Sequence, residues 1–144
     1  MPKNYKYRFR DTKKIDLEKL VQHYKYGWWS KNRKKADVKK MLKNSDLAIS
    51  LWDKQKLIGF ARILTDYVYR ATIWDVIIHP DYQGEGLGKL IMEEILNHPK
   101  LKNVPFFWLV TLDKHQFYKK LGWKIESGWA MYYDRDEKPN PCVD

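Results

Sequence analysis

The residues of this 144-residue sequence whose types and spacing best suit chemistry are the glycines between positions 83 and 89. The segment reads Gln83-Gly84-Glu85-Gly86-Leu87-Gly88-Lys89 and follows a run of β-forming residues that ends at His79-Pro80. Glycines let a backbone approach a ligand closely, and the apolar positions 87, 90, 91 and 95 predict a helix that begins on them. The start of a helix presents unpaired N–H groups and the positive end of its dipole. The segment therefore predicts an anion site that suits a pyrophosphate.

Two common phosphate-binding loops do not fit this spacing. A Rossmann fingerprint requires glycine at the third position after Gly86, where the sequence has Lys89. A Walker loop requires glycine at position 83 and Ser or Thr after Gly88-Lys89, but the sequence has Gln83 and Leu90. The pattern that remains is Gln83-x-x-Gly86-x-Gly88 directly after a strand.

The elements that must position this loop follow from hydrophobic periodicity. Alternation predicts an edge strand at 5–9 and a hairpin whose strands, 46–52 and 56–64, flank the turn 53–55. Helical spacing predicts a first helix that Gly27 stops, a short basic second helix around Val38, and helices after the glycines and at 114–121. Further strands are expected at 70–78, 106–110 and 129–133. The order predicts an α/β fold with a mixed sheet, as one domain over residues 1–133 and a loosely held tail, 134–144.

Two motifs in this framework resemble one known family. Gln83-x-x-Gly86-x-Gly88 resembles the acyl-CoA pyrophosphate loop of the GNAT acetyltransferase superfamily, usually written Arg/Gln-x-x-Gly-x-Gly/Ala, and the run 117–123, Phe-Tyr-Lys-Lys-Leu-Gly-Trp, is similar to its second signature. The resemblance extends over about residues 5–125, and the stretch from Gly59 to Asp75 looks most like the small GNAT proteins of cyanobacteria and chloroplasts. It implies the GNAT (acyl-CoA N-acyltransferase) fold, a mixed, mostly antiparallel sheet flanked by about four helices, and acetyl-CoA as acyl donor.

The resemblance also implies which residues hold the acyl donor. Backbone groups of Val76, Ile77 and Ile78 would bind the pantetheine arm. The pyrophosphate would lie against the loop made of Gln83, Gly84, Glu85, Gly86, Leu87, Gly88 and Lys89. Lys89 either adds its charge to a phosphate or is an ordinary solvated lysine.

Acetyl transfer to an amine needs a deprotonated amine, a polarised thioester carbonyl and a proton for the departing thiolate. In the family that the sequence resembles, the tyrosine of the second signature commonly supplies that proton, and Tyr118 falls on its position; the alternative is a tyrosine that only packs its helix. Thr72 stands where relatives often place a glutamate base. Asp75 is the expected base, with anchoring of a neighbouring loop as its alternative, and His115 is a second candidate that could also be a surface histidine.

Aromatic residues are expected to form the wall of the acceptor site. The predicted substrate-binding residues are Trp28, Trp29, Asp66, Tyr67 and Trp74. Such a wall suits an aromatic or flexible amine; the alternative is that the adjacent tryptophans anchor a loop by burial. The sequence does not choose between a small amine, an arylalkylamine, and a protein lysine or N-terminus.

The amino-acid composition limits the partners, the metal sites and the location that can be expected. Of the 28 Lys and Arg residues, 15 lie in the first 43 positions beside only four acidic residues, which indicates either an acidic partner or a solvated face. The one cysteine, Cys142, excludes a disulfide within the chain, and the four histidines lack ligand spacing, so no metal is expected. The start of the sequence lacks the apolar core of a signal peptide and no stretch is apolar enough to span a membrane, so a cytoplasmic location is expected.

The function predicted from these observations is acetyl-CoA-dependent N-acetyl transfer to a primary amine by direct attack. The alternatives are an acyl-CoA-binding module without turnover and a basic domain that binds nucleic acid. Dimers are common in the family that the sequence resembles, and the oligomeric state stays open.

Overall fold

The computed structural model describes residues 6–136, and the chain divides into two compact units, Met1–Val110 and Thr111–Asp144. The strands of the first unit are β1 (Arg8–Arg10), β2 (Leu47–Asp53), β3 (Lys56–Thr65), β4 (Arg70–Ile78) and β5 (Phe106–Trp108). Its helices are α1 (Leu17–Tyr24), α2 (Lys35–Lys43) and α3 (Leu87–Leu96), with a single 3-10 turn at Pro80–Tyr82. The second unit contains α4 (His115–Lys120).

The five strands form one mixed sheet in the order β1-β2-β3-β4-β5. The first three pairings are antiparallel, and β4 pairs with β5 in parallel. The predicted hairpin is confirmed: β2 and β3 pair from Leu47 opposite Ile63 to Asp53 opposite Lys56. Lys54 takes the positive φ of 53° that a two-residue hairpin turn requires.

Helices α1 and α2 cover one face of the sheet. Asp16 caps α1 by accepting a hydrogen bond from the backbone N–H of Lys19 at 3.1 Å, in agreement with acidic residues at the start of a helix. Apolar residues of both helices and of strands β2, β3 and β4 share one buried cluster: Leu20, Tyr24, Val38, Leu42, Ala48, Trp52, Leu57, Phe60 and Ile77. The helical spacing of apolar residues that predicted these two helices thus corresponds to one buried face on each helix.

Helix α3 packs on the opposite face, and Gly59 sets how close it comes. Phe60 points into the α1–α2 cluster, so its neighbour Gly59 faces the other side of the strand. A Cβ atom added at Gly59 would lie 2.8 Å from Cδ1 of Ile91 in α3 and 3.3 Å from Cβ of Leu51. The absence of a side chain at Gly59 therefore lets α3 lie directly against the sheet.

The second unit contains the second signature motif as a capped helix. Gly122, with φ 93°, follows α4. The N–H of Gly122 donates to the carbonyl of Lys119 at 3.0 Å, and the N–H of Trp123 donates to that of Tyr118 at 3.1 Å. This pair of bonds is a Schellman motif, which requires a left-handed residue and explains a glycine at this position.

The predicted last strand is absent. Residues 129–133 have no regular secondary structure, and the side chains of Trp129, Met131, Tyr132 and Tyr133 are exposed. Aromatic residues favour a strand only when a neighbouring strand and a buried face are available, so composition alone was an insufficient signal. Most of the predicted tail, residues 137–144 with Cys142, lies outside the described residues. Among residues 6–136, no helix is both long and apolar enough to cross a membrane.

Candidate functional site

The sheet opens beside β4. Only Arg70, Ala71 and Thr72 pair with β5, opposite Phe106, Phe107 and Trp108. From Ile73 to Ile78, β4 has no strand on its β5 side within the part of the chain that the structure describes. An unpaired strand edge can bind an extended ligand through its backbone groups, and here the carbonyls of Ile77 and Ile78 already accept hydrogen bonds from the side chains of His23 and Gln83.

A β-bulge lies at the centre of this open edge. Phe60 of β3 pairs with Ile77 and Arg62 pairs with Trp74, so Ala61 alone faces both Asp75 and Val76. Asp75 has a φ of 59°, a conformation that aspartate tolerates better than most residues. The bulge changes the side-chain alternation, so that Asp75 reaches residues on the α1–α2 face.

The glycine loop follows the open edge and is shaped as the sequence predicts. Gly84 and Gly86 have φ values of 83° and 76°, and a Cβ added at either would meet nothing within 4 Å. Gly86 is the N-cap of α3, and no side chain caps the helix. The first amides of α3, which start at Leu87, therefore keep their donors for an external acceptor. An uncapped helix start with open space before it suits an anion.

Side chains around the loop hold its shape. The imidazole of His79 accepts a hydrogen bond at Nδ1 from the N–H of Asp81, and Gln83 donates its side-chain amide to the carbonyl of Ile78 at 3.3 Å. Glu85 accepts a hydrogen bond from the hydroxyl of Tyr7 at 3.2 Å. These contacts anchor the loop to the end of β4 and to the residue before β1.

Lys89 is exposed on the first turn of α3. Its ammonium lies 3.8 Å from the carboxylate of Glu93, one turn further along the helix. An exposed pair of this kind is weak, so the lysine side chain is free to turn toward an anion at the helix start. Both alternatives for Lys89, phosphate contact and solvation, stay predictions.

Asp75 is the centre of a buried charged cluster. Its Oδ2 accepts hydrogen bonds from the hydroxyl of Tyr24 at 2.8 Å, from Nη1 of Arg33 at 2.7 Å and from Nε of Arg62 at 2.6 Å. Burial by itself raises the pKa of the Asp75 carboxyl, but the hydrogen bonds and charges of Arg33 and Arg62 outweigh it, so the pKa lies below its usual value. Asp75 is thus a stable carboxylate and a weak proton acceptor at neutral pH.

His23 connects α1 to β4. Its Nε2 is 2.9 Å from the carbonyl oxygen of Ile77, and only 2% of the residue is exposed. Burial lowers the pKa of His23 to about 4, so the ring is neutral at pH 7 and Nε2–H is the donor to that carbonyl.

The predicted acceptor wall is partly exposed. Trp28 and Trp29 are 62% and 48% exposed and form an edge-to-face pair at 5.8 Å, so burial does not explain them. Trp74 is 36% exposed, and its indole N–H donates to the hydroxyl of Thr72 at 2.8 Å. Because Trp74 pairs with Arg62, these two side chains share the face on which Asp75 meets α1.

Asp66 and Tyr67 belong to the connection between β3 and β4. Oδ1 of Asp66 accepts hydrogen bonds from the N–H groups of Val68, Tyr69 and Arg70, and Tyr67 has a φ of 63°. Asp66 therefore organises this turn, and the hydroxyl of Tyr67 donates to the carbonyl of Asp46 at 3.3 Å. Substrate binding by Asp66 and Tyr67 stays a prediction.

Tyr118 lies on α4 in the second unit. Its ring contacts those of Phe117 and Trp123, with centroids 5.0 and 6.0 Å away. Burial, followed by the negative charge of Asp113, raises the pKa of the Tyr118 hydroxyl to about 12. The phenol is therefore protonated at pH 7, as a proton donor must be.

Sequence reasoning missed the partners of Asp75. Arg62 carried a usable signal, because a charged residue within an apolar strand needs a buried partner. Arg33 carried none, because it lies in a run of basic residues that resembles a solvated surface. No pattern in the sequence assigned a role to the hydroxyl of Tyr24.

Comparison with known proteins agrees with this geometry. The profile of the Acetyltransferase (GNAT) family matches residues 14–123. An uncharacterized N-acetyltransferase ycf52 of Pyropia yezoensis is 43% identical over 117 residues, which cover 77% of this chain and 66% of that protein. A ycf52-like protein of Prochlorococcus marinus is 40% identical over 127 residues, covering 85% and 70%. The chain thus spans about two thirds of the length of these relatives.

A solved structure shares the fold. A crystal structure from Xanthomonas campestris, described as a putative acetyltransferase of the GNAT family, superposes with a TM-score of 0.70 and 26% sequence identity, covering 83% of this chain and 86% of that one. The family profile, the plastid and cyanobacterial relatives and the shared mixed sheet agree with one another. The chain therefore belongs to the GNAT family of acetyltransferases.

Proposed function

We propose that this protein transfers the acetyl group of acetyl-CoA to the nitrogen of a primary amine. The observation that carries the proposal is the open edge of β4 from Ile73 to Ile78, which leads directly into the uncapped helix start at Gly86. An extended arm along a strand and a pyrophosphate at a helix start are the two parts of a CoA molecule that a protein must hold.

Acetyl-CoA supplies the activated acetyl group, and the chain supplies its binding groups. The backbone of Val76, Ile77 and Ile78 would pair with the amides of the pantetheine arm. The amides of the segment Gly84–Lys89 would face the pyrophosphate, where the open space in front of Gly84 and Gly86 leaves room for it.

Tyr118 acts in this proposal as the proton donor to the thiolate. When the amine nitrogen bonds to the carbonyl carbon and the carbon–sulfur bond breaks, the sulfur takes up negative charge, and the amine nitrogen must lose a proton. A phenol with a pKa of about 12 is protonated before the reaction and transfers its proton to the sulfur as the thiolate leaves. The amine releases its proton to solvent, and the tyrosinate takes a proton back from solvent. The net products are an N-acetylated amine and CoA with a free thiol.

It stays a prediction that Asp75 is the base that accepts the proton of the amine. Its lowered pKa and its hydrogen bonds to Tyr24, Arg33 and Arg62 favour a role in positioning. A proton can also leave the amine through water, since the wall formed by Trp28 and Trp29 is open to solvent.

Two acceptor classes are consistent with the surface. Exposed Trp28, Trp29 and Tyr67 support an aromatic amine, and a rice relative named serotonin N-acetyltransferase 2, chloroplastic, is 33% identical over 88 residues, covering 58% of this chain and 44% of that protein. A soybean relative named histone acetyltransferase TAP1 is 32% identical over 130 residues, covering 81% and 54%. A polypeptide acceptor would also meet the exposed lysines of α2.

Those lysines favour an acidic polypeptide among macromolecular acceptors. Lys35, Lys39 and Lys43 are exposed and lie four residues apart, so they form one line along α2. Lys35 forms an ion pair with Glu18 of α1, which leaves Lys39 and Lys43 as the positive charges of that line. A line of positive charge attracts acidic chains and repels cationic amines such as polyamines. A homodimer and a cytoplasmic location stay predictions from the sequence.

Thiol release from acetyl-CoA tests the proposal. Wild type and Tyr118→Phe are assayed side by side with arylalkylamines, polyamines, and lysine and N-terminal peptides, against a blank without acceptor. We expect release with one acceptor class and a large loss in the variant. Equal release in both proteins would remove Tyr118 from the mechanism.

A binding measurement separates the alternatives. Saturable thermal stabilisation by CoA is expected for the glycine loop. Stabilisation without release for any acceptor would favour the binding module, and steeply salt-dependent nucleic-acid binding without CoA stabilisation would favour the basic domain.

A further inference from the structure

Both ends of the connection between α1 and α2 are bound to the same carboxylate. Tyr24, the last residue of α1, donates its hydroxyl to Oδ2 of Asp75 at 2.8 Å. Arg33, two residues before α2, donates Nη1 to the same oxygen at 2.7 Å and Nη2 to Oδ1 at 3.3 Å. The guanidinium also lies 4.7 Å from the centre of the Tyr24 ring.

The carboxylate that binds these ends is buried, and the side chain of Arg33 is 29% exposed. Tyr24 and Asp75 are 1% and 8% exposed, and Arg62 of β3 gives the carboxylate a further donor at 2.6 Å. If a buried carboxylate loses one charged donor, the free-energy cost of removing it from water is no longer offset by that hydrogen bond. Moving Arg33 away from Asp75 is therefore unfavourable.

The segment between the two ends, residues 25–32, carries the exposed tryptophan pair. Inside it, Ser30 donates its hydroxyl to the carbonyl of Tyr24 at 2.7 Å, and its N–H donates to the carbonyl of Gly27 at 3.1 Å. A Cβ added at Gly27 would lie 3.3 Å from Cδ1 of Ile77, which shows that the segment passes directly beside β4.

A third contact joins the segment to the end of β4. Tyr26 lies in the segment, and its hydroxyl is 3.0 Å from Nε2 of His79. Because Nδ1 of His79 accepts from the N–H of Asp81, the neutral ring carries its proton on Nε2 and donates it to Tyr26. The Trp28–Trp29 segment is therefore attached to Asp75 of β4 at both ends and, through Tyr26 near its start, to His79 just after β4.

We propose that Arg33 is a positioning residue for the acceptor amine: its two bonds to Asp75 hold the Trp28–Trp29 segment in place beside β4. The inference rests on the proposed function, because it assigns this segment to the acceptor. Arg33 touches neither the amine nor the acetyl group in this proposal and acts only through Asp75 and the segment.

Amide hydrogen exchange of residues 25–32 tests the attachment without any reaction. Arg33→Met removes the guanidinium that comes from the segment, whereas Arg62→Met, the matched control, removes one that comes from β3. A lost bond to a charged group corresponds to roughly tenfold or more, so we expect exchange in 25–32 to rise at least about tenfold in Arg33→Met. In Arg62→Met the segment keeps both of its bonds, so its exchange is expected to stay within about threefold of wild type.

Kinetics test the consequence for the acceptor. Arg33→Met should raise KM for the amine by on the order of tenfold, with little change in KM for acetyl-CoA, and Arg33→Lys should recover part of the loss because it keeps one charged donor. Equal exchange in the two Met variants, or equal changes in both KM values, would overturn the inference. If no amine is acetylated by wild type, the proposed function fails while the exchange comparison still tests the attachment.

Discussion

Replacing Gly59 by alanine should displace α3, the helix whose first turn holds the candidate pyrophosphate loop. The added Cβ would lie 2.8 Å from Cδ1 of Ile91, 3.2 Å from Cδ1 of Ile78 and 3.3 Å from Cβ of Leu51. Ends of isoleucine side chains can move, but a Cβ atom moves only with its strand. The contact with Leu51 can be relieved only by the strands themselves. The closer contact with Ile91 needs either a new conformation of that side chain in a packed core or a shift of α3 away from the sheet, and we expect the shift.

The expected cost follows from the energetics of overpacked cores. Extra methyl groups forced into a packed interior cost about 1–3 kcal/mol. At roughly 4 °C per kcal/mol for a domain of this length, Gly59→Ala should lower Tm by about 4–12 °C. Because the loop moves with α3, affinity for acetyl-CoA should fall as well.

A double-mutant cycle with Ile91→Val tests the reason for that cost. Valine lacks the Cδ1 atom that the new methyl group meets first, and Ile91→Val alone should cost about 0.5–1.5 kcal/mol. The double variant should be more stable than the sum of the single effects by about 1 kcal/mol, measured by urea unfolding, and should recover acetyl-CoA affinity. Additive losses, or a Gly59→Ala protein as stable as wild type, would refute the packing argument.

Three further predictions concern protonation, backbone strain and surface charge. The pKa of His23 is about 4 in the folded protein and 6.5 in the unfolded chain, so the unfolded state binds more protons between these two pH values. The free energy of unfolding should therefore fall by about 3 kcal/mol from pH 7 to pH 4. His23→Gln can still donate to the carbonyl of Ile77 but does not titrate, so it should flatten that fall in urea unfolding. Gly86→Ala forces a methyl-bearing residue to φ 76°, which costs about 1–2 kcal/mol. If the loop keeps its shape, this cost lowers the free energy of unfolding; if the free loop relaxes, it weakens acetyl-CoA binding about 5- to 30-fold by calorimetry, and unchanged affinity together with unchanged stability would contradict the argument. The double variant Lys39→Glu and Lys43→Glu should have a higher KM than wild type for acidic peptides but not for a small amine. The difference in KM between the variant and wild type should shrink at high salt, and a difference that does not depend on salt would contradict steering by charge.

The regular elements could be predicted because their signals are local. The predicted strand 70–78 coincides with β4, and the helix expected on the glycines begins at Leu87. Hydrophobic alternation, a proline after a strand and a left-handed glycine act within a few residues of one another, so the sequence displays them directly. The prediction of a strand at 129–133 was wrong, because a strand also needs a neighbouring strand to pair with, and local composition does not reveal one.

By itself, the sequence determined the family motifs, the hairpin, the glycine loop and the helix that starts on it. Tertiary structure decided the rest: that β4 leaves β5 after Thr72, that Asp75 lies in a bulge, and that Arg33 and Arg62, 42 and 13 positions away, donate to it. It also decided that Trp28 and Trp29 are exposed. Local preference depends on neighbouring residues in the chain, whereas burial and charge pairing depend on which distant segments the packed sheet brings together.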